Sequence, residues 1–198
     1  MRNFKRWGWT AGLAVLTAVG LTACGGNDSL PPKASISKVY VMGDSLADAG
    51  TFGIKFTVQD ASNPKGFQIW TQLVANAVGV DGAAQCNFYS LNADMTVRAA
   101  PNTACTNFAI GASRLNAKAS DGGPSSPLNV GVQMATKATL GGYTSGDLVL
   151  IDGGGNDAAD LVGAYLGAST PQGLQNFQAF LSQQLDGATM AALLPQTN

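Results

Sequence analysis

The chain has 198 residues, 45% hydrophobic and 12% charged, with a formal net charge of −1. That length and apolar content suit one domain with its own core, and without a basic excess there is little electrostatic support for binding nucleic acid. There is no histidine and all twelve acidic residues are aspartate, so a His-containing zinc site is excluded, the usual neutral-pH general base is missing, and no metal or cofactor is expected.

At the N-terminus Arg2, Lys5 and Arg6 precede an apolar stretch from Trp9 to Val19, which leads to Leu21-Thr22-Ala23-Cys24. A basic start, a short apolar run and small residues at a cleavage point describe a secretory signal. The run is too short for a comfortable transmembrane helix, although an N-terminal membrane anchor is the alternative. Leu-Thr-Ala-Cys resembles the bacterial lipobox, which implies lipidation of Cys24 and a membrane-anchored lipoprotein of the outer membrane or periplasm. Residues 1–23 are therefore expected to be a signal peptide. Residues 24–37, rich in Gly, Ser and Pro, are expected to be a flexible tether, with the domain proper at 38–198. Setting Cys24 aside leaves Cys86 and Cys105, a pair that usually closes a disulfide in an oxidising compartment. Closing a loop of roughly 20 residues would add about 3 kcal/mol; two buried thiols are the alternative.

Lys38 to Met42 is a short apolar run ending at Gly43, which suits a buried parallel strand. From Phe67 onward Trp70, Leu73, Val74, Ala77 and Val78 recur at helical spacing, and Gly79 stands where a helix would stop. Asn107 to Ile110 is a second candidate strand, ending at Gly111. A helical stretch around Val130 to Leu140 leads to the clearest strand, Asp147 to Ile151. After Gly153-Gly154-Gly155, residues Ala158, Leu161, Val162 and Tyr165 share one helical face. A last helix over about Pro171 to Leu185 turns Leu174, Phe177, Leu181 and Leu185 inward. Strands alternating with helices imply an α/β fold with a parallel sheet.

Ligands of such sheets bind beyond the carboxyl ends of the strands. All three candidate strands end there in a glycine-containing loop: Gly43-Asp44-Ser45, Gly111-Ala112-Ser113 and Gly153 to Asp157. Ser45, held at a tight turn just after a strand, has the placement a nucleophile needs. The Gly111 N–H, unshielded by a side chain, could approach a reacting oxygen. The Asn156 side-chain amide could stabilise a developing oxyanion. Gly-Asp-Ser alone is a weak signal, since these are ordinary turn residues. Nucleophile, backbone donor and amide donor in order on successive strands form a far more specific pattern.

With these three blocks the chain resembles the SGNH/GDSL ester hydrolases. Val41 to Gly50 looks like the family's first block, Asn107 to Ala112 the second and Gly154-Gly155-Asn156-Asp157 the third, and Ile69-Trp70-Thr71-Gln72-Leu73 resembles the intervening helix. The resemblance runs from about Lys38 to Leu185. It implies a flavodoxin-like sheet of five parallel strands in the order 2-1-3-4-5, flanked by helices. It also implies hydrolysis of small-molecule or lipid esters, with Ser45 as nucleophile and Gly111 and Asn156 as oxyanion donors. The family's Asp-x-x-His has no counterpart here, which implies a chain truncated before the last strands and inactive or weakly active.

Three rival readings compete. Gly153 to Ala158 fits a loose dinucleotide-binding pattern after a strand, but no acidic residue stands at the required distance. A Ser–Lys dyad would need Lys38 or Lys55, neither of which has the S-x-x-K spacing from Ser45. A non-catalytic envelope lipoprotein that keeps the scaffold as a binding or structural module is the remaining alternative.

Overall fold

A computed structural model describes residues 35–57, 62, 67–92, 94, 96–97 and 102–193. The expected signal, Cys24 and the tether up to residue 34 lie outside the described residues. The chain divides into Met1–Ser35 and Ile36–Asn198, and the second unit carries the elements below.

Strand β1 (Lys38–Met42) alternates with period two. Val39 and Val41 enter a cluster with Ala47, Ala75 and Ala109, whereas Met42 and Tyr40 join Phe88, Phe108, Ile110 and Val130 on the other face. Strand β2 (Asp147–Ile151) pairs with it in parallel, Lys38 opposite Asp147 and Met42 opposite Ile151. Its Leu148 and Leu150 back the first cluster and Val149 the second. Both faces of β1 are thus covered, as expected of a parallel strand. Ile36 packs on the first cluster, and the Ser37 N–H donates to the Gly146 carbonyl at 2.8 Å.

The expected strand at Asn107–Ile110 lies alongside β1 but is not a regular strand. Val41 N–H donates to Thr106 O (3.0 Å), Phe108 N–H to Val41 O (2.7 Å) and Ile110 N–H to Gly43 O (3.1 Å). The run also keeps strand alternation, with Phe108 and Ile110 to one face and Ala109 to the other. What interrupts it is the fully buried Asn107 side chain. Its Nδ2 donates to the Ala47 carbonyl (2.8 Å) and its Oδ1 accepts the Ala109 N–H (2.9 Å), so side-chain bonds take over from the ladder. On its far side Asn107 bridges Asn87. The lateral order is therefore 86–88, 106–110, β1, β2.

Cys86 and Cys105, at the start of these two flanking runs, are joined by a disulfide with Cα atoms 5.0 Å apart. Closing a loop of this length contributes about 3 kcal/mol in the chain-entropy model.

Helix α1 (Trp70–Ala77) starts where the Gln72 side chain accepts the Ile69 N–H at 3.1 Å, and its exit passes through Gly79 at φ +84°. Its inner stripe is Thr71, Gln72 and Ala75, with Val78 half-buried; Trp70 and Leu73 are exposed. The expected stripe is thus rotated. The backbone at Gly82 comes close to this helix: a Cβ there would sit 1.9 Å from the Gln72 carbonyl oxygen.

Helix α2 (Val130–Thr139) is capped by Asn129, whose side chain accepts the Gly131 and Val132 N–H groups. It covers the opposite face with Val130. Helices α3 (Gly155–Gly167), α4 (Pro171–Gln184) and α5 (Gly187–Leu193) follow β2 and bury no residue fully. In α4 Leu174, Phe177 and Leu181 are half-buried, with the Phe177 ring edge-on to Tyr165 at 5.9 Å. The apolar face of α3 is open: Leu161, Val162 and Tyr165 are 44%, 54% and 66% exposed. Among the described residues β2 pairs only with β1, and α3 leads to α4 and not to another strand. No helix among them is long and apolar enough to cross a membrane.

Candidate active site

The site is built at the carboxyl ends of β1, the 106–110 run and β2. Immediately after β1 the chain turns at Gly43, φ +157°, where a Cβ would lie 2.9 Å from the Asp152 carbonyl oxygen. Glycine is needed there by both conformation and space. Buried Asp44 then winds the next residues into a tight turn. Its Oδ1 accepts the Leu46 N–H (3.0 Å), and its carbonyl accepts those of Ala47 (3.2 Å) and Asp48 (3.0 Å). Ser45 sits on the shoulder of this turn, half-buried, and its hydroxyl has no hydrogen-bond partner among the described residues.

The second loop differs from the sequence expectation in one atom. Fully buried Asp48 accepts the N–H groups of Gly50 (2.8 Å), Thr51 (2.7 Å) and Gly111 (2.8 Å). The Gly111 N–H is therefore committed to a carboxylate instead of facing a reacting oxygen. A Cβ at Gly111 would stand 2.6 Å from the Phe56 ring, which would have to shift to admit a side chain. Next to it Ala112 has φ +68°, the sole non-glycine residue with positive φ among those described, and it is exposed. Its N–H finds no acceptor among the described residues. A β-carbon in the left-handed region is strained, and such strain clusters at functional sites.

The third loop brings Asn156 into the first turn of α3. Gly154, φ +97°, caps that helix, and the Asn156 side-chain NH₂ donates to the Ser113 carbonyl at 2.8 Å. Asp157 braces the same junction, accepting the Leu115 (3.0 Å) and Asn116 (2.9 Å) N–H groups at the positive end of the helix. Arg114 and Lys118 converge on Asp160 of α3 at 2.6 and 2.5 Å, and Arg114 also meets Asp121 at 3.0 Å. Polar contacts, more than apolar burial, thus seat α3 against the second loop.

Burial raises the pKa of Asp48, although the three N–H donors oppose this. Asp152 is also raised, by burial and then by the Asp44 charge beside it, and its Oδ2 is buried without a partner. Neither candidate lysine of a Ser–Lys dyad lies in a position to serve. Lys38 opens β1, at the opposite end of the strand from Ser45. Lys55 donates to the Phe67 carbonyl and to Gln72 Oε1, both at 2.9 Å. No group of three potential metal-ligating side chains occurs among the described residues.

Ser45 and Asn156 are thus brought to one rim, with Gly111 just beneath it. Periodicity and motif reading passed over Asp48 as a brace, and over Gln133, a fully buried amide on α2. The available signal for Gln133 was its spacing with Val130 and Lys137, which places a glutamine on the buried stripe of that helix.

A family model described as GDSL-like Lipase/Acylhydrolase matches residues 39–193. No match was found among curated proteins or among solved structures.

Proposed function

The chain belongs to the GDSL-like lipase/acylhydrolase family, and on that premise we propose that it cleaves carboxylic esters through Ser45. The observation that carries this reading is the meeting of three strand-end loops at one rim. An accessible serine follows β1, and an amide donor, Asn156, is held beside the second loop by its bond to Ser113. In the proposed reaction Ser45 Oγ adds to the ester carbonyl carbon and its proton passes to a base. The tetrahedral oxyanion collapses, the protonated alcohol leaves and an acyl-serine remains, which water then hydrolyses to the acid.

Asn156 contributes the second proton of its NH₂ to the oxyanion. The backbone donor that supports this best is the unpaired Ala112 N–H, since that of Gly111 is held by Asp48. With no histidine in the 198 residues, proton removal from Ser45 is left to water or to a base supplied in solution. The unassisted rate is accordingly low, because a serine hydroxyl is a poor nucleophile at its free pKa.

The test supplies the base. Turnover of p-nitrophenyl butyrate is measured with increasing imidazole for the full chain and for Ser45→Ala, whose rate corrects for the uncatalysed reaction with imidazole. A saturable, Ser45-dependent increment with burst acylation is expected. Identical rates for the two proteins would favour a non-catalytic module that keeps the scaffold. We also propose export and lipid attachment at Cys24, supported by Leu21-Thr22-Ala23-Cys24 at the end of the apolar run. Labelled palmitate should mark the wild type and not Cys24→Ser; equal labelling of both excludes it.

A further inference from the structure

We infer that Gln133 is a positioning residue, an amide clamp that fixes the nucleophile loop against the second loop. It lies in the first turns of α2 and is fully buried. Its Oε1 accepts the Gly43 N–H at 2.7 Å, and its Nε2 lies 3.2 Å from the Gly43 carbonyl. The same Nε2 lies 3.0 Å from Ser113 Oγ and 3.0 Å from the Pro127 carbonyl. Because a backbone N–H can only donate, Oε1 must be the atom that faces Gly43, which fixes the orientation of the amide. One side chain therefore grips both polar groups of the residue two before Ser45, and it also touches the residue whose carbonyl holds Asn156.

Two features make this a positioning device and not a filled core position. Gly43 lies just past β1, where the regular β1–β2 pairing has ended; the Ile110 N–H supplies one partner for its carbonyl, and the clamp completes the pairing of its peptide groups. The helix that carries Gln133 is also tied to the second loop, since Arg114 N–H donates to Leu128 O (2.8 Å) and Val130 N–H to Arg114 O (2.9 Å). A shift of α2 would therefore carry both loops together and preserve the distance between Ser45 and its oxyanion donors. The catalytic consequence rests on the serine-hydrolase reading above; the clamp itself does not.

Amide hydrogen exchange and kinetics on the full chain separate the two. In Gln133→Leu the Gly43 amide should exchange at least tenfold faster than in wild type, while the Val41 amide, bonded to Thr106, keeps its rate. Continued protection of Gly43 would overturn the clamp whether or not the protein is an enzyme. Gln133→Glu keeps an acceptor for the Gly43 N–H but loses the amide donor until its carboxyl is protonated. In the imidazole-supported assay it should lose about 10²-fold in kcat at alkaline pH, the order expected for a misplacement of about 1 Å. KM should stay near wild type, and kcat should recover relative to wild type as pH falls. A kcat that is unchanged, or reduced equally at every pH, would overturn the positioning role. If Ser45→Ala matches wild type the hydrolase reading fails, and the Gly43 exchange rate still decides the clamp.

Discussion

Gly43 shows how one backbone position can govern a site. It follows β1, accepts from Ile110, and approaches Asp152 so closely that no side chain fits at its φ of +157°. Gly43→Ala must push β2 away or unwind the turn that presents Ser45. Overpacking and backbone strain each typically cost about 1–3 kcal/mol. We expect a loss of about 2 kcal/mol or more in urea unfolding, together with loss of the ester turnover proposed for Ser45. An unfolding midpoint equal to wild type would contradict this. Ala112 presents the opposite case, a side chain kept where glycine would be less strained, beside an N–H that has no acceptor. Legibility in the sequence divides along the same line. Gly43, Ser45 and Asn156 stand in recognisable blocks, whereas the commitment of the Gly111 N–H to Asp48, 63 residues away, leaves no trace in spacing.

Among the elements, α3 is held by charge more than by its apolar face. Burial alone would raise the pKa of Asp160, but hydrogen bonds and charge from Arg114 and Lys118 outweigh it and hold the carboxyl below its ordinary value. A folded-state pKa below the unfolded one gives stability that is present above the unfolded value and lost as pH falls through the folded value. Asp160→Asn should therefore cost about 1 kcal/mol at neutral pH, and the gap to wild type should close as pH drops below about 4. Thermal melts across that range would show it, and a gap that widens in acid would refute the assignment. The helical period located α3 but did not fix its environment. Periodicity reports that a face is apolar, not whether a neighbour covers it.

Across the whole molecule, the core is gathered around β1 and thins toward β2 and the helices after it. Ile151, Leu161, Val162, Tyr165 and Leu166 are exposed, Leu166 by 70%, and the outer edge of β2 is unpaired among the described residues. Unpaired strand edges and contiguous apolar patches favour association. The purified chain should therefore bind a hydrophobic dye in its native state and sediment as larger species as its concentration rises through the micromolar range. A dye-silent monomer at every concentration would show that these faces are covered. Disulfide closure between Cys86 and Cys105 acts at the other end of the sheet order, where the 86–88 and 106–110 runs meet.

The amino-acid sequence by itself determined the order and bounds of most elements, the three strand-end loops and the family. Each of these is written in residues close together in the chain: a two-residue strand period, a helical period, or a glycine next to the polar group it frees. Tertiary structure alone decided which face of α1 is buried, why 106–110 departs from a strand, and which atoms surround the loop that carries Ser45. Those outcomes depend on close approach and on side-chain-to-backbone bonds between distant segments, such as Gln133 to Gly43 across 90 residues. A bond of that kind satisfies a buried polar group wherever the fold happens to bring it, so no local pattern announces it.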